Sequence, residues 1–336
     1  MCEGGLSGEL WPAHLKPEED EILSSWLFRL ALAHGLNPAE FSSIVWPRKP
    51  DFFTHLDEKE DAEIFEVLAR KTGTPLERVR GTSLASYEPW LFSADERHSN
   101  NVPWLLRRAP WIMPTSNTAE TILFGQQFCP HCLKEKPYFR RRWHLALWVI
   151  CESHQVQLQD RCPSCGEPVN LQSRKLLLGR KLSEESITLC HPCGFDLRRA
   201  IPRPSRPAVN DDEVEFQKFL LKALRQGWVE IPGSGAVYSH LYFTVLHKFM
   251  RKLSVESGSD SLREAISKHY QIPNFLISFP SRDKVERRTL RSHTGTYRYL
   301  EMLNVDERRG LLRMSARLLS NWPANFISFC GSGSMA

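Results

Sequence analysis

The sequence contains no run of 18 apolar residues, although 41% of its residues are hydrophobic. A helix that crosses a bilayer needs at least that length, so no membrane span is predicted. The first 20 residues include Glu18, Glu19 and Asp20 and lack the apolar core of a signal peptide. These absences predict a cytoplasmic protein, whose cysteines stay reduced and available to a metal ion.

Signatures of zinc and cysteine enzymes are also missing. The sequence contains neither the H-E-x-x-H motif of zinc proteases nor the H-x-E motif of zinc deaminases. Redox chemistry at a C-x-x-C motif employs one reactive dithiol rather than several in series. The sequence therefore predicts a protein that is not an enzyme.

Cysteine is the residue type that this sequence places most unevenly. Seven of its nine cysteines, together with one histidine, form four pairs in which two residues separate the partners. Such a pair lets both side chains reach one tetrahedral cation, and two pairs complete its coordination. The sequence predicts two structural Zn²⁺ ions per chain, bound by Cys129, Cys132, Cys151, His154, Cys162, Cys165, Cys190 and Cys193.

The spacing leaves two ways to combine these pairs. In a sequential arrangement, the first two pairs bind one ion and the last two pairs bind the other. In a cross-braced arrangement, the first and third pairs share one ion and the second and fourth share the other. Both intervening loops, of residues 133–150 and 166–189, are long enough to fold back, so spacing alone does not choose.

Zinc binding would lower the net charge of the chain. The formal net charge of +5 would fall to about +2, because seven ligating thiolates outweigh two Zn²⁺ ions. Contacts with nucleic acid or with a partner protein must then depend on local basic patches. The candidate contact residues are Arg78, Arg80, Arg140, Arg141, Arg142, Arg287, Arg288, Arg291 and Arg298.

Two of these arginines lie in a segment that has the pattern of a helix-turn-helix. Ala69, Gly73 and Val79 occupy the positions of the small residue, the turn glycine and the β-branched packing residue. The same pattern occurs in helical hairpins that only pack, so the second helix could contact either nucleic acid or protein.

The fold class is predicted to be mainly α with two small zinc-knuckle modules. Residues 1–128 form an N-terminal helix-turn-helix domain with a loop-rich wrapping segment, and residues 129–197 form the tandem zinc fingers. A basic, proline-rich linker follows at 198–212, and residues 213–336 form a C-terminal helical bundle. Apolar spacing of three and four predicts helices over residues 18–34, 57–71, 211–226, 238–252, 261–270, 284–303 and 305–320.

Three stretches resemble one protein family. The segment FCPHCLKEKPYFRRRWHLALWVICESHQVQLQDRCPSCG, residues 128–166, resembles the zinc-finger region of the TniQ and TnsD proteins of transposons. Residues 21–36, EILSSWLFRLALAHGL, are similar to the N-terminal opening of that family, and residues 306–329 are similar to its C-terminal helix and W-P turn. The resemblance favours sequential pairing of the zinc ligands.

The resemblance implies a non-catalytic adaptor for target selection, closest to TniQ. Such an adaptor connects target DNA, or a CRISPR effector complex with its guide RNA, to the AAA+ regulator of transposition, and it can act as a homodimer. The alternative is a TnsD-like protein that binds an attachment site directly. The chain after the zinc region is short for the TnsD type, which favours TniQ.

Overall fold

The structure is a computed structural model that describes residues 9–49, 56–58, 60–91, 111–113, 126–171, 184–201, 209–231, 235–254, 260–271, 300–319 and 321–331. The chain divides into two compact units. One comprises Met1–Ser86, Thr115–His144 and Gln159–Arg203, and the other comprises Tyr87–Pro114, Leu145–Leu158 and Pro204–Ala336. Within the described ranges, no helix has the length and hydropathy needed to cross a membrane.

The described residues are mainly α-helical, as predicted. The first unit contains α1 (Leu23–Ala33), α2 (Pro38–Val45), α3 (Ala62–Thr72), α4 (Leu76–Arg80) and α6 (Pro130–Glu135). The second unit contains α5 (Glu88–Leu91), α7 (Asp211–Gln226), α8 (Ser239–Ser254), α9 (Asp260–Tyr270), α10 (Val305–Leu319) and α11 (Ala324–Gly331). It also contains two antiparallel hairpins, formed by β1 (Ile150–Cys151) with β2 (Val156–Gln157) and by β3 (Trp228–Ile231) with β4 (Gly235–Tyr238).

An aromatic core holds the helices of the first unit together. Trp26 of α1 and Phe41 of α2 are buried, and Trp11 lies edge-on to Phe41 with ring centroids 5.1 Å apart. Aromatic pairs in this geometry add to the free energy gained from burying their area. The N-terminal segment is thereby fixed against the first two helices.

Helix α1 begins later than the predicted start at residue 18. Glu21 forms an isolated β-bridge with Arg140, and the N–H group of Ile22 donates to the carbonyl of Phe139 at 3.1 Å. Because this backbone pairs with another segment, it cannot enter a helix before Leu23. Glu18, Glu19 and Asp20 therefore precede the helix, and its first turn contains no acidic residue.

Helices α3 and α4 form the predicted short helical hairpin, although α3 begins at Ala62 rather than at residue 57. Gly73 adopts a left-handed conformation, with φ at 62°, and its N–H group donates to the carbonyl of Ala69. Val79 of α4 is completely buried. The residues chosen for the turn and the packing position therefore have those structural roles, while binding of nucleic acid by α4 stays a prediction.

The helices of the second unit agree closely with the apolar spacing. Helix α7 has the predicted bounds and begins with a capping box, in which Asn210 and Glu213 each accept a hydrogen bond from the other's backbone N–H group. Helices α8, α9 and α10 begin and end within two residues of their predicted limits. The predicted helix over residues 284–303 lies outside the described residues except for a 3-10 turn at Leu300–Met302.

The β3–β4 hairpin was not predicted. Its residues alternate between faces: Val229 is buried, whereas the cross-strand partners Trp228 and Tyr238 are 41% and 69% exposed. Gly227 ends α7 with φ at 79°, and a Cβ atom at that position would lie 2.6 Å from the ring of Trp90. Glycine is therefore required both by the backbone conformation and by the approach of the Trp90 ring.

Candidate metal centres

The first group of potential metal ligands combines a helix start with a hairpin turn. Cys129 is the N-cap of α6 and Cys132 lies in its first turn. Cys151 ends β1, and His154 lies in the turn to β2 with its Nδ1 atom 3.4 Å from the sulfur of Cys151. One ligand atom from each residue lies within 4.8 Å of the others in the group.

The second group is built from two knuckles with the same backbone pattern. The N–H group of Cys162 donates to the carbonyl of Glu167 at 2.9 Å, and the N–H group of Gly166 donates to the carbonyl of Cys162 at 2.9 Å. Gly166 has φ at 76°, in the left-handed region. The sequence C-x-x-C-G thus folds so that both sulfurs of a knuckle point to one side.

The pattern recurs 28 residues later, counted along the sequence. The N–H group of Cys190 donates to the carbonyl of Phe195, and the N–H group of Gly194 donates to the carbonyl of Cys190, both at 2.7 Å. An isolated β-bridge flanks each knuckle at the equivalent position. The two knuckles bring the sulfurs of Cys162 and Cys193 to 3.6 Å from each other.

The electrostatics of the second group favour a bound cation. Burial raises the pKa of the Cys162 and Cys190 thiols. Desolvation also acts on Cys193, but hydrogen bonds from the Phe195 backbone and the neighbouring thiols lower its pKa to about 7. A metal ion bound among these thiols would supply the positive charge that stabilises buried thiolates.

Both groups can hold a metal ion, and both have the sequential arrangement. The described residues bring together the first two pairs in one group and the last two pairs in the other, and the cross-braced arrangement is not formed. Four protein ligands in each group would complete the tetrahedral shell of a bound ion.

Arg141 and Arg142, predicted as partner contacts, are both used within the first unit. Arg141 donates hydrogen bonds to the Gly81 carbonyl and to the Ser86 hydroxyl. Both guanidinium groups lie beside the carboxylate of Asp20, at 3.5 Å and 3.4 Å, and their side chains are only 17% and 15% exposed. These contacts attach the segment before α1 to the turn after α4.

Arg140 has a different environment. Its guanidinium carbon lies 5.0 Å from the ring centroids of both Tyr138 and Trp143. This geometry is that of a cation–π contact, in which a charged guanidinium group is attracted to the face of an aromatic ring.

Arg78 and Arg80 are exposed on α4, but each has a partner. Arg78 donates to the carbonyl of Pro17 at 2.5 Å, and Arg80 forms an ion pair with Glu77 at 3.0 Å. The remaining predicted contact residues, which lie outside the described residues, are Arg287, Arg288, Arg291 and Arg298.

Replacing Arg141 with alanine should destabilise the first unit by about 2 kcal/mol, because hydrogen bonds from a charged donor would be lost and their partly buried acceptors left unpaired. Thermal or urea unfolding would measure the change. Lys136 is the matched control, since it lies in the same segment and pairs with Glu18 at 2.8 Å while its side chain is 61% exposed. Equal stability of the Arg141→Ala and Lys136→Ala variants would contradict the structural role of Arg141.

Comparison with known protein families finds the TniQ model, which matches residues 12–158. The match includes the N-terminal opening and the whole first ligand group, and it ends before the second group. No curated protein matches the chain. The resemblance expected from the sequence is confirmed over residues 12–158, whereas the predicted similarity of residues 306–329 lies outside the match. A TniQ domain implies a target-selection or adaptor role in transposition.

Proposed function

We propose that this chain, which carries a TniQ domain over residues 12–158, is a non-catalytic adaptor that links target recognition to the AAA+ regulator of a transposon. The observation that carries the proposal is the family match. The matched residues include the first ligand group. The closed ligand sets support the absence of catalysis, since a catalytic zinc site keeps one position open.

The metal in this proposal is zinc, with two ions per chain. Three cysteines with one histidine, and four cysteines, are ligand sets that structural zinc sites commonly have. Thiolates favour zinc over the oxygen-seeking cations Mg²⁺ and Ca²⁺. The ions would fix the geometry of loops that contain few helical or strand residues.

The partners in this proposal are the AAA+ regulator and a target-recognition component, which is target DNA or a CRISPR effector complex with its guide RNA. A homodimer fits the same role. The candidate contact residues are the arginines of α4, of residues 140–142 and of residues 287–298. Because Arg141 and Arg142 also pair with Asp20, Arg140 and Arg80 are the better first choices for substitution.

Co-purification tests the adaptor function directly. The chain is expressed with a tag, with and without the neighbouring transposition genes, and the retained proteins and RNA are identified. We expect the regulator to be retained together with the chain, and we expect the chain alone to bind random duplex DNA only weakly and less at higher salt. Retention of neither a regulator nor a guide-RNA complex would contradict the adaptor function.

The same preparation also tests the alternative function, in which the chain binds an attachment site directly. Nanomolar, sequence-specific binding of duplex DNA by the isolated chain would identify a TnsD-like reader of an attachment site. In that case the exposed arginines of α4 would be expected to contact base edges, and replacing Arg80 with alanine would weaken binding at particular base pairs.

A further inference from the structure

The second unit has an exposed aromatic cluster outside the metal centres. Three large rings, those of Trp90, Trp228 and Tyr238, are 42%, 41% and 69% exposed. All three residues lie near the base of the β3–β4 hairpin, because the Trp90 ring approaches Gly227, next to Trp228, and the Trp90 carbonyl accepts a hydrogen bond from the hydroxyl of Ser239, next to Tyr238. We call these three rings the aromatic platform.

The hairpin presents two of these rings on one face. Trp228 and Tyr238 are directly opposite in the β-ladder, so their side chains share a face, while Val229 and Val237 point to the other face. The ring of His240 stacks on Tyr238 with centroids 5.7 Å apart and planes 15° from parallel. His240 thus covers part of one face of the Tyr238 ring, and the side chain as a whole is 69% exposed in a position that the hairpin fixes.

Exposed basic side chains lie on the two helices that flank the hairpin. Helix α8 contains three lysines and arginines in its C-terminal half and no acidic residue, and α7 contributes two near its C-terminal end, next to Gly227. The five exposed basic residues are Lys222, Arg225, Lys248, Arg251 and Lys252. The acidic residues of α7 lie toward its N-terminal end, where Glu215 pairs with Lys218 at 2.9 Å.

Exposed aliphatic residues continue the surface along α8. Leu241 and Val245, one helical turn apart, are 49% and 56% exposed, and Lys248 follows on the next turn. A helix rises 1.5 Å per residue, so the basic end of α8 lies roughly 15 Å from the hairpin, a distance that two or three nucleotides span.

We propose that the aromatic platform and the exposed side of α8 form a binding surface for single-stranded DNA. Unstacked bases stack on exposed aromatic rings, and lysines and arginines on both sides contact the phosphates. Duplex DNA keeps its bases stacked and cannot use the rings. The inference does not depend on the adaptor function, and apart from Trp90 the surface lies beyond the residues that match the TniQ family.

The aliphatic residues favour DNA over RNA. A thymine methyl group and a deoxyribose ring gain from contact with Leu241 and Val245. A ribose 2′-hydroxyl buried against the same side chains would lose its hydrogen bonds to water without a replacement. The surface is therefore expected to bind oligothymidine more tightly than oligouridine.

The test measures fluorescence anisotropy with the full chain and labelled dT20, rU20 and a 20-base-pair duplex at about 50 mM salt. We expect dT20 to bind most tightly and the duplex least. Replacing Trp228 or Tyr238 with alanine should weaken dT20 binding about tenfold, whereas Tyr238→Phe should retain it, because stacking needs only the ring. Replacing Lys248 with alanine should reduce the salt dependence by about one unit of slope.

Two controls keep the test specific. Glu230 lies on the same face of the hairpin as Trp228, so Glu230→Lys should tighten dT20 binding several-fold. Ile327, 63% exposed on α11, is an apolar residue distant in sequence, and Ile327→Ala should leave binding unchanged. Circular dichroism establishes that each variant is folded.

Three results would overturn the proposal: no binding of dT20 by the wild-type chain, tighter binding of the duplex or of rU20 than of dT20, or unchanged binding by folded Trp228→Ala and Tyr238→Ala variants. If those two variants instead abolish self-association in analytical ultracentrifugation while oligonucleotide binding is unchanged, the surface is a protein interface and the DNA assignment is wrong.

Discussion

Replacing Cys190 with serine is expected to reduce the metal content from two zinc ions per chain to one and to unfold both knuckles of the second group. A serine hydroxyl is not ionised at neutral pH and does not replace a thiolate ligand. Structural zinc contributes on the order of 10 kcal/mol at such a site. That exceeds what the few apolar residues of this segment can supply, among which Ile187 and Leu197 are the most buried.

Mass spectrometry of the metal and limited proteolysis measure the two parts of this result. New cleavage sites are expected within the described residues 159–171 and 184–201, and the same sites should appear in the wild-type chain after a strong chelator is added. Cys330 provides the matched control, because it is half-buried and belongs to neither ligand group. A Cys190→Ser variant that keeps two ions and resists protease would show that the second group is not a zinc site.

The potential metal ligands could be recognised in the sequence because the geometry of each pair is local. The two ligands of each pair lie within four residues, and in the second group each turn is also specified by a following glycine, at Gly166 and Gly194. The start of helix α7 could be predicted equally well, because Asn210 and Glu213, which form its capping box, lie within four residues of sequence. Signals of this kind do not depend on what the rest of the chain does.

Features that depend on distant partners were not predictable. The start of α1 is set by backbone pairing with Phe139 and Arg140, more than a hundred residues away. Three consecutive arginines indicated contacts with nucleic acid or a partner, but Asp20 pairs with two of them, and no local pattern links these positions. The β3–β4 hairpin was missed because strands of four residues are too short to establish a period of two beside long amphipathic helices.

The second large effect, a loss of stability, is expected from a buried ion-pair network in the second unit. Glu213 of α7 accepts two hydrogen bonds from Arg309 of α10, at 2.7 Å and 2.8 Å, and lies 3.2 Å from the guanidinium of Arg313. The side chains of Glu213 and Arg309 are 6% and 5% exposed. Arg309 also donates to the side chain of Gln157 at 2.9 Å, which connects the network to β2.

Replacing Glu213 with alanine should lower the free energy of unfolding by about 3–5 kcal/mol. Removal of one partner from a buried ion pair leaves the other charge desolvated and uncompensated, and here two arginines share the single carboxylate. Part of the loss would come from the capping box, which contributes about 1 kcal/mol. The variant Glu213→Gln separates the two contributions, because glutamine keeps the capping hydrogen bond and the volume but removes the charge.

Chemical denaturation of the wild-type chain and of the Glu213→Ala, Glu213→Gln and Asp212→Ala variants measures these effects. Asp212 precedes Glu213 on the same helix and pairs with Arg317 at 2.5 Å, but both side chains are about half-exposed, at 59% and 46%. An exposed pair of this kind contributes about 0.5 kcal/mol, so Asp212→Ala should be nearly neutral. Similar losses for Asp212→Ala and Glu213→Ala would contradict the network. The double variant Glu213→Ala/Arg309→Ala should lose less than the sum of the single losses, because it no longer buries the Arg309 charge without a partner.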